Sequence, residues 1–435
     1  MVRPFTNWAR NQRGRPTRWH LPASEAELVA LVRDVRARGE RLRVVGAGHS
    51  WSAAALSDQH QVSLDRHAGV VAVDRATRRV TVNAGTRLKH LVAALDGLGL
   101  ALTNLGSIAE QSIAGAIATG THGTGLGHGV LATQVVALRL VTGSGEVRVV
   151  GDAPGAAADA DLLDAARVSL GCLGVVSQVT LQCRDAFDLE ERSWSLPFEE
   201  ATAALPELAR SAPHVKAWWL PHTGRVQLFA ATPTDRPRAG PGRVARALDE
   251  AVNAVAFTAV LGVGRALPAV VPALNRLVGK SYFRDRTRVD RSDRVFNVAM
   301  PPRHLEMEYG LPLDAAGPAW REVQRLIERE HLRVNFVQEA RFVAADRCHL
   351  SPAYGRESCQ LGAYMAPSRH SDRFFEAFER IALDLGGRPH WGKLFHAEAA
   401  ALAPRYPLWA RFQALRRELD PDGVFTSAFT RAALG

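Results

Sequence analysis

The segment RVVGAGHSW, residues 43–51, could bind a phosphorylated ligand. A strand-like run there ends in Gly46, Ala47 and Gly48, and glycines at such a turn let backbone N–H groups approach a pyrophosphate closely. Taken alone, the segment matches the start of a dinucleotide-binding βαβ unit, with Asp65 as the ribose-binding acid. However, the third glycine is missing, and the following stretch is too short for a crossover helix. A nicotinamide-dependent dehydrogenase is therefore disfavoured.

A second candidate is the glycine-rich segment at residues 105–129, in which small and hydroxyl residues alternate with glycine. This composition predicts backbone wrapped closely around a flat or phosphorylated ligand. A flexible surface loop is the alternative. It is disfavoured because Ile108, Ile113 and Ile117 thread the segment as packed residues would.

Two further segments carry charges in apolar surroundings. In QEARFV, Glu339 and Arg341 alternate with apolar neighbours and should project from one face of a strand. RPHWGKLF, residues 388–395, holds His390 and Lys393. Buried charges are costly unless they are paired or functional. Each residue singly fits a structural ion pair, but together they indicate a site.

The elements that must position these residues are mixed helices and strands. SEAELVALVRDVRARGE predicts an amphipathic helix capped by Ser24, and strand-like runs recur to about Cys183, which predicts an α+β domain. From Arg184 the pattern changes and indicates a second unit.

An apolar stretch at residues 251–280 is interrupted by Arg265, Pro268 and Pro272, so it is too short to span a membrane. We expect a buried helical hairpin. The alternative is an interfacial helix that meets anionic headgroups through basic residues, namely Arg243, Arg246, Arg265, Arg276 and Lys280.

Composition limits the partners and the compartment. The net charge of +10 over 435 residues comes mainly from scattered arginines without aromatic interleaving, so nucleic-acid binding is not expected. The four cysteines form no metal-binding spacing. The N-terminus shows no apolar signal region, and we expect a cytoplasmic protein, with peripheral contact at the inner membrane face as the alternative.

Seven motifs in order along the chain carry a resemblance: GAGHS, GSIAEQSIAGAIATGTHGTG, LGCLGVVSQVTL, MEYGLP at 307–312, EAR, HWGK and the terminal DPDGVF. Together they resemble the vanillyl-alcohol-oxidase flavoprotein superfamily, and within it the aldonolactone oxidases and the alditol oxidases. The resemblance implies a two-domain α+β, PCMH-type FAD-binding fold. Residues 1–183 would form the FAD-binding domain. Residues 184–385 would form a cap of antiparallel sheet plus helices, with an insertion near 243–280, and residues 386–435 would return to the FAD domain.

The same resemblance implies which residues hold FAD. His49 matches the histidine that these relatives bond covalently to flavin, although neighbouring subfamilies bind FAD without such a bond. The other implied cofactor residues are Val45, Gly46, Ala47, Gly48, Ser50, Ser112, Gly115, Ala118, Thr119, Gly120, His122, Gly123, Gly125 and Val175.

For the chemistry, the resemblance implies that Glu339, Arg341 and Lys393 are the active-site charges and that Ser107 lies beside the flavin. Gly106 takes the position where related lactone dehydrogenases carry a side chain that obstructs oxygen, which predicts an oxidase producing hydrogen peroxide.

The expected substrate is a sugar-1,4-lactone of the L-gulono- or D-arabinono- type. Alditol oxidases carry histidine and threonine where this chain has Gly362 and Tyr364, so a linear polyol is the alternative. A lactone dehydrogenase with another electron acceptor is a further alternative. Glu306 and Glu308 both flank the pocket, and the sequence does not distinguish their roles. A non-catalytic protein of this fold is disfavoured because all three active-site charges are present.

Overall fold

The structure is a computed structural model that describes residues 4–153, 155, 159–239, 243–298 and 302–435. It contains helices together with parallel and antiparallel sheets, so the predicted α+β class is confirmed.

The N-terminal part contains two principal sheets. A three-stranded parallel sheet has the order β3-β5-β4, with strands Arg18–His20 (β3), Leu42–Val45 (β4) and His60–Ser63 (β5). A five-stranded antiparallel sheet has the order β10-β9-β11-β7-β6, with strands Val70–Asp74 (β6), Arg79–Asn83 (β7), Val135–Val141 (β9), Val147–Gly151 (β10) and Val175–Gln182 (β11). Two short pairs complete this part: Phe5–Thr6 (β1) with Arg13–Gly14 (β2), and Leu100–Ala101 (β8) with Arg184–Asp185 (β12).

The described residues of this part also form four α-helices: Glu25–Ala37 (α1), Leu88–Gly97 (α2), Ile113–Ala118 (α3) and Ala160–Arg167 (α4). Helix α1 begins as predicted, because the Ser24 hydroxyl accepts a hydrogen bond from the Glu27 backbone N–H at 3.2 Å.

The connection from β4 to β5 explains why the match of residues 43–51 to a dinucleotide-binding βαβ unit was misleading. The two strands pair in parallel, yet residues 46–59 between them form turns and bends instead of a helix. The glycine turn after β4 is therefore not followed by the helix of a βαβ unit.

The second part is built on one antiparallel sheet of eight strands in the order β16-β13-β15-β14-β18-β19-β17-β20. Its strands are Asp188–Pro197 (β13), His214–Trp219 (β14), Arg225–Thr234 (β15), Arg286–Arg291 (β16), Leu305–Pro312 (β17), Gln338–Val343 (β18), Ser358–Met365 (β19) and Arg388–Pro389 (β20). Its helices are Phe198–Ala203 (α5), Leu205–Ala209 (α6), Arg243–Ala266 (α7), Val271–Tyr282 (α8), Ser292–Phe296 (α9), Ala316–Arg329 (α10) and Ser371–Asp384 (α11). Helices α10 and α11 supply Trp320, Phe374 and Phe378 to the core of this part, where β18 contributes Phe342.

The C-terminal segment touches both parts. Its first strand, β20, pairs with β17 in the large sheet. Its helices are Ala399–Leu402 (α12), Trp409–Leu419 (α13) and Ala428–Leu434 (α14), and their buried residues belong to the core of the N-terminal part. The predicted domain limits at residues 183 and 385 remain predictions.

The apolar stretch at 251–280 forms helices, but the prediction that they are buried is wrong. Helices α7 and α8 meet at a bend of 119°, and no single helix among the described residues is long and apolar enough to cross a membrane. Val255 is 71% exposed and Leu277 is 62% exposed, while Leu261 and Phe257 pack on Phe336. One face of the pair therefore covers the second part and the other presents apolar side chains to solvent.

Candidate active site

A groove of about 1170 Å³ follows the turn after β4. The turn approaches helix α3 so closely that a Cβ on Gly46 would lie 2.3 Å from the Oγ of Ser112. Ser112 caps α3, accepting a hydrogen bond from the Gly115 N–H at 3.3 Å. Only glycine fits at position 46 in this packing, so the backbone itself forms the groove wall at the predicted pyrophosphate region, which is compatible with a dinucleotide.

Most of the predicted cofactor residues line this groove. They are Val45, Gly46, Ala47, Gly48, His49, Ser50, Ser112, Gly115, Ala118, Thr119 and Val175. His122 instead lines an adjoining cavity, and the residues lining these two spaces do not include Gly120, Gly123 or Gly125. Gly123 packs against the Asn104 side chain, and the Gly125 N–H donates to the Phe342 carbonyl at 2.6 Å.

His49 lies at the junction of the groove and the adjoining cavity. Its ring stacks on Trp8 with centroids 5.6 Å apart, and its buried Nδ1 has no hydrogen-bond partner among the described residues. Burial lowers the pKa of His49. A fixed, neutral imidazole with an unused ring nitrogen fits attachment to a flavin, because the nitrogen lone pair is available.

The adjoining cavity, of about 750 Å³, gathers most of the predicted chemistry. It shares His49, Ser50, Gln111 and Thr119 with the groove, so the two spaces are continuous. The predicted residues Gly106, Ser107, Arg341 and Lys393 line it.

Glu339 and Arg341 project from one face of β18, as predicted, and form an ion pair at 3.0 Å. Arg341 also donates to the Ser107 hydroxyl. Glu339 accepts hydrogen bonds from Trp218 at 2.7 Å and from Tyr364 at 2.8 Å. Although burial alone would raise the pKa of Glu339, the Arg341 charge and these donors lower it. Glu339 is thus an ionised anchor that holds Arg341 at the cavity.

The structure separates the roles of Glu306 and Glu308, which the sequence left open. Both lie on the same face of β17, two residues apart. Glu306 forms an ion pair with Lys393 at 2.5 Å, and Glu308 pairs with His122 at 2.5 Å. Burial raises the pKa of Glu306 to about 7. Burial would do the same at Glu308, but the adjacent His122 outweighs it and lowers that pKa.

The Tyr364 ring lies over Gly362, which is two residues earlier on the same strand, β19. A Cβ on Gly362 would lie 2.7 Å from the Tyr364 ring, so the ring occupies the space that a side chain would take. The ring also stacks on Phe336, with centroids 6.0 Å apart, in the cluster that α7 covers. This contact holds the Tyr364 hydroxyl at Glu339.

Several site residues were not identified from the sequence. Trp218 and Lys216 on β14 stand opposite Glu339 and Arg341, and this pairing depends on strand register. His304 precedes β17 and lines the cavity. The only local signal was the alternation in HVKAWW, which places a lysine and a tryptophan on one strand face.

Comparison with known proteins agrees with this geometry. Residues 16–151 match a family model described as an FAD binding domain, and residues 179–433 match one described as D-arabinono-1,4-lactone oxidase. Among solved structures, a solvent-stable cholesterol oxidase superposes with a TM-score of 0.77 at 18% identity, covering 99% of this chain and 97% of that one. The fold and site together define an FAD-dependent oxidoreductase.

Sequence relatives narrow this class. An L-gulono-1,4-lactone dehydrogenase of Mycobacterium tuberculosis is 37% identical, and 99% of each chain is covered. An L-gulonolactone oxidase of Bos taurus is 32% identical over 98% of this chain and 97% of that one. An alditol oxidase of a Streptomyces species is 33% identical over 100% of both chains. The chain belongs to the D-arabinono-1,4-lactone oxidase family of flavoproteins.

Proposed function

We propose that the protein oxidises a secondary alcohol of a sugar-1,4-lactone of the L-gulono- or D-arabinono- type. The observation that carries this proposal is the cavity in which Arg341, Lys393 and Ser107 converge beside the FAD groove. The names of the relatives support the lactone class. The test is whether an aldonolactone reduces the bound flavin when oxygen is absent.

The chain's own residues stabilise the charge that develops on the substrate. Bound FAD supplies the acceptor for a hydride from the alcohol carbon. As that hydride leaves, the hydroxyl oxygen gains negative character, which the Arg341 and Lys393 cations stabilise in a cavity lined largely by buried side chains. Glu339 acts as a positioning residue because its three hydrogen-bond donors fix it and it fixes Arg341.

Tyr364 favours a lactone over an alditol. Its ring fills the space above Gly362, and its hydroxyl is bonded to Glu339. At these two described positions the strand therefore offers a linear polyol no free hydrogen-bonding group. An alditol substrate remains the second candidate, supported by the alditol oxidase relative.

For the electron acceptor we propose dioxygen, with hydrogen peroxide as the product. The relatives' names include both oxidases and a dehydrogenase, so the support is Gly106, which leaves the cavity wall without a side chain. We expect Gly106→Ala to slow reoxidation of the reduced flavin by at least tenfold while the rate of flavin reduction changes little. Stopped-flow mixing of the reduced protein with oxygen measures both variant and wild type.

The new methyl of Gly106→Ala would lie 3.0 Å from the Thr121 Cγ2 and 3.2 Å from the His122 carbonyl oxygen. Thr121→Ser is therefore the matched control, and the double variant relieves the closer of these two contacts. Slow reoxidation in the double variant but not in Thr121→Ser assigns the effect to oxygen access. Slow reoxidation of the wild type itself would make the protein a dehydrogenase.

We also propose that the protein is cytoplasmic and makes peripheral contact with an anionic membrane face through residues 251–280. Exposed Val252, Val255 and Val263 form a stripe on α7, and Arg276 and Lys280 lie on α8. The side chains of Arg243 and Arg246 lie outside the described residues.

The membrane proposal predicts that the protein sediments with vesicles containing phosphatidylserine and less with purely zwitterionic vesicles. Val255→Asp should abolish sedimentation because it places a charge on the apolar stripe, while Val71→Asp, an exposed site on β6, should not. Equal sedimentation of Val255→Asp and the wild type would refute the contact.

A further inference from the structure

Oxidation of an alcohol releases a proton together with the hydride, so the cavity must contain a proton acceptor. The following inference rests on the proposed function. The titratable groups lining the cavity are His49, His122, His304, Glu306, Glu308, Arg341, Tyr364, His390 and Lys393. Hydrogen bonds show which of them have a site for another proton.

Two histidines are poor acceptors. The Nδ1 of His390 accepts a hydrogen bond from the Gly392 N–H at 3.0 Å, so the neutral ring carries its proton on Nε2 and has no free lone pair. The Nδ1 of His304 lies 2.8 Å from the Pro302 carbonyl and donates to it. Burial lowers the pKa of His390 to about 3 and of His304 to about 4, which makes both weak bases.

The pair of His122 and Glu308 already contains a proton. The Nδ1 of His122 donates to the Gly123 carbonyl at 2.9 Å, so the ring needs its Nε2 for Glu308. That Nε2 and the Glu308 Oε1 are 2.5 Å apart, a separation that requires one shared proton. A second proton would leave an uncompensated buried positive charge.

Arg341 has no lone pair to offer, and the anion of Glu339 is held by three donors. Tyr364 uses its hydroxyl to donate to Glu339, and burial raises its pKa well above the usual value, so it carries its own proton. We propose that His49 attaches the flavin, as its unused Nδ1 allows, so its lone pair is not free for the substrate's proton.

The geometry points to Glu306 as the acceptor of the substrate's hydroxyl proton, relayed by Lys393. Glu306 is buried and lines the cavity, and the Lys393 Nζ lies 2.5 Å from its Oε1. Apart from this ion pair, Oε1 has no hydrogen-bond partner among the residues that the structure describes. One carboxylate oxygen is therefore open toward the ammonium group.

The step balances as a relay. The substrate O–H bond breaks and its proton joins the Lys393 Nζ, while an Nζ proton passes to the Glu306 Oε1. Lys393 ends as it began, Glu306 becomes a neutral carboxylic acid, and the two electrons leave the alcohol carbon with the hydride. After the step, the neutral Glu306 acid and the Lys393 cation lie next to the carbonyl group of the oxidised substrate.

The surroundings of Glu306 poise it for this role. Burial raises its pKa to about 7, Lys393 opposes that rise, and Glu308 on the same strand adds to it. The other groups facing Glu306 are His304, 3.9 Å away, and Tyr364 on β19. A base with a pKa near the working pH suits proton abstraction. The ionised form is needed, so flavin reduction should slow as the pH falls through about 7.

The experiment compares Glu306→Gln with Glu308→Gln as the matched control on the same strand face. Anaerobic stopped-flow reduction by an aldonolactone, followed across pH, should show an acidic limb in the wild type and in Glu308→Gln. In Glu306→Gln the limb should vanish and the plateau rate should fall by about 10²-fold. An unchanged limb in Glu306→Gln, or its loss in Glu308→Gln alone, overturns the proposal.

Infrared titration supplies a readout independent of turnover. At low pH the resting flavoprotein should show a carboxylic-acid band, and this band should disappear as the pH rises, with a midpoint of about 7. The band should be missing in Glu306→Gln. A protein that shows no such band refutes the inference even if lactones reduce its flavin. If no lactone reduces the wild-type flavin, the proposed function fails separately, and the infrared titration still decides the state of Glu306.

Discussion

Replacement of Arg341 by methionine is expected to lower the rate of flavin reduction by about 10²–10³-fold, the usual cost of removing one preorganised stabiliser of a developing oxyanion. Arg341 donates hydrogen bonds to both Ser107 and Glu339. The methionine side chain keeps much of the arginine volume but carries no charge. The measurement is anaerobic stopped-flow reduction with saturating lactone.

The matched control for this prediction is Arg347→Met. The Arg347 side chain is 82% exposed, and Asp164 is its one salt-bridge partner among the described residues. The control should react at the wild-type rate. Arg341→Lys should recover only part of the loss, since a single Arg341 nitrogen, Nη2, donates to both Glu339 and Ser107, and the ammonium group of lysine lacks the planar guanidinium that presents that nitrogen. Full activity of Arg341→Met would show that the charge is not used.

The second large effect is all-or-none: His49→Ala is expected to abolish covalent attachment of the flavin. Acid precipitation of the wild type should leave the yellow colour in the pellet, because the flavin would be bonded to the chain. In His49→Ala the flavin should move to the supernatant while the native protein still binds FAD through the groove. Absorption spectra of pellet and supernatant measure this.

The control for the tether is His90→Ala, an exposed histidine on α2, which should keep the flavin in the pellet. Release of flavin from the wild type would leave the cofactor groove intact but remove His49 as the attachment point. Retention in His49→Ala would place the bond on another residue.

Much of this site could be predicted because its signals are local. The glycine turn after a strand and the alternation of Glu339 with Arg341 are encoded within a few residues, as is the Ser24 cap of α1 elsewhere in the fold. These features depend on backbone conformation and strand periodicity, which short segments determine.

The rest depends on contacts between distant segments. Glu306 meets Lys393, 87 positions later, only because the chain after β20 lies beside β17. Trp218 reaches Glu339 through the register of β14 with β18, which no short window contains. The exposure of Val255 was mispredicted because apolar composition does not tell whether a helix face meets a core or solvent.

The most direct test of the central claim is anaerobic mixing of the purified flavoprotein with L-gulono-1,4-lactone, D-arabinono-1,4-lactone and, in parallel, xylitol. We expect the lactones to bleach the flavin absorbance in a single turnover. The rate constant of flavin reduction, divided by the apparent Kd of the substrate, should be at least tenfold higher for the lactones than for the polyol. Bleaching by xylitol but not by either lactone would make the protein an alditol oxidoreductase, and a flavin that none of them reduces would contradict the proposed function.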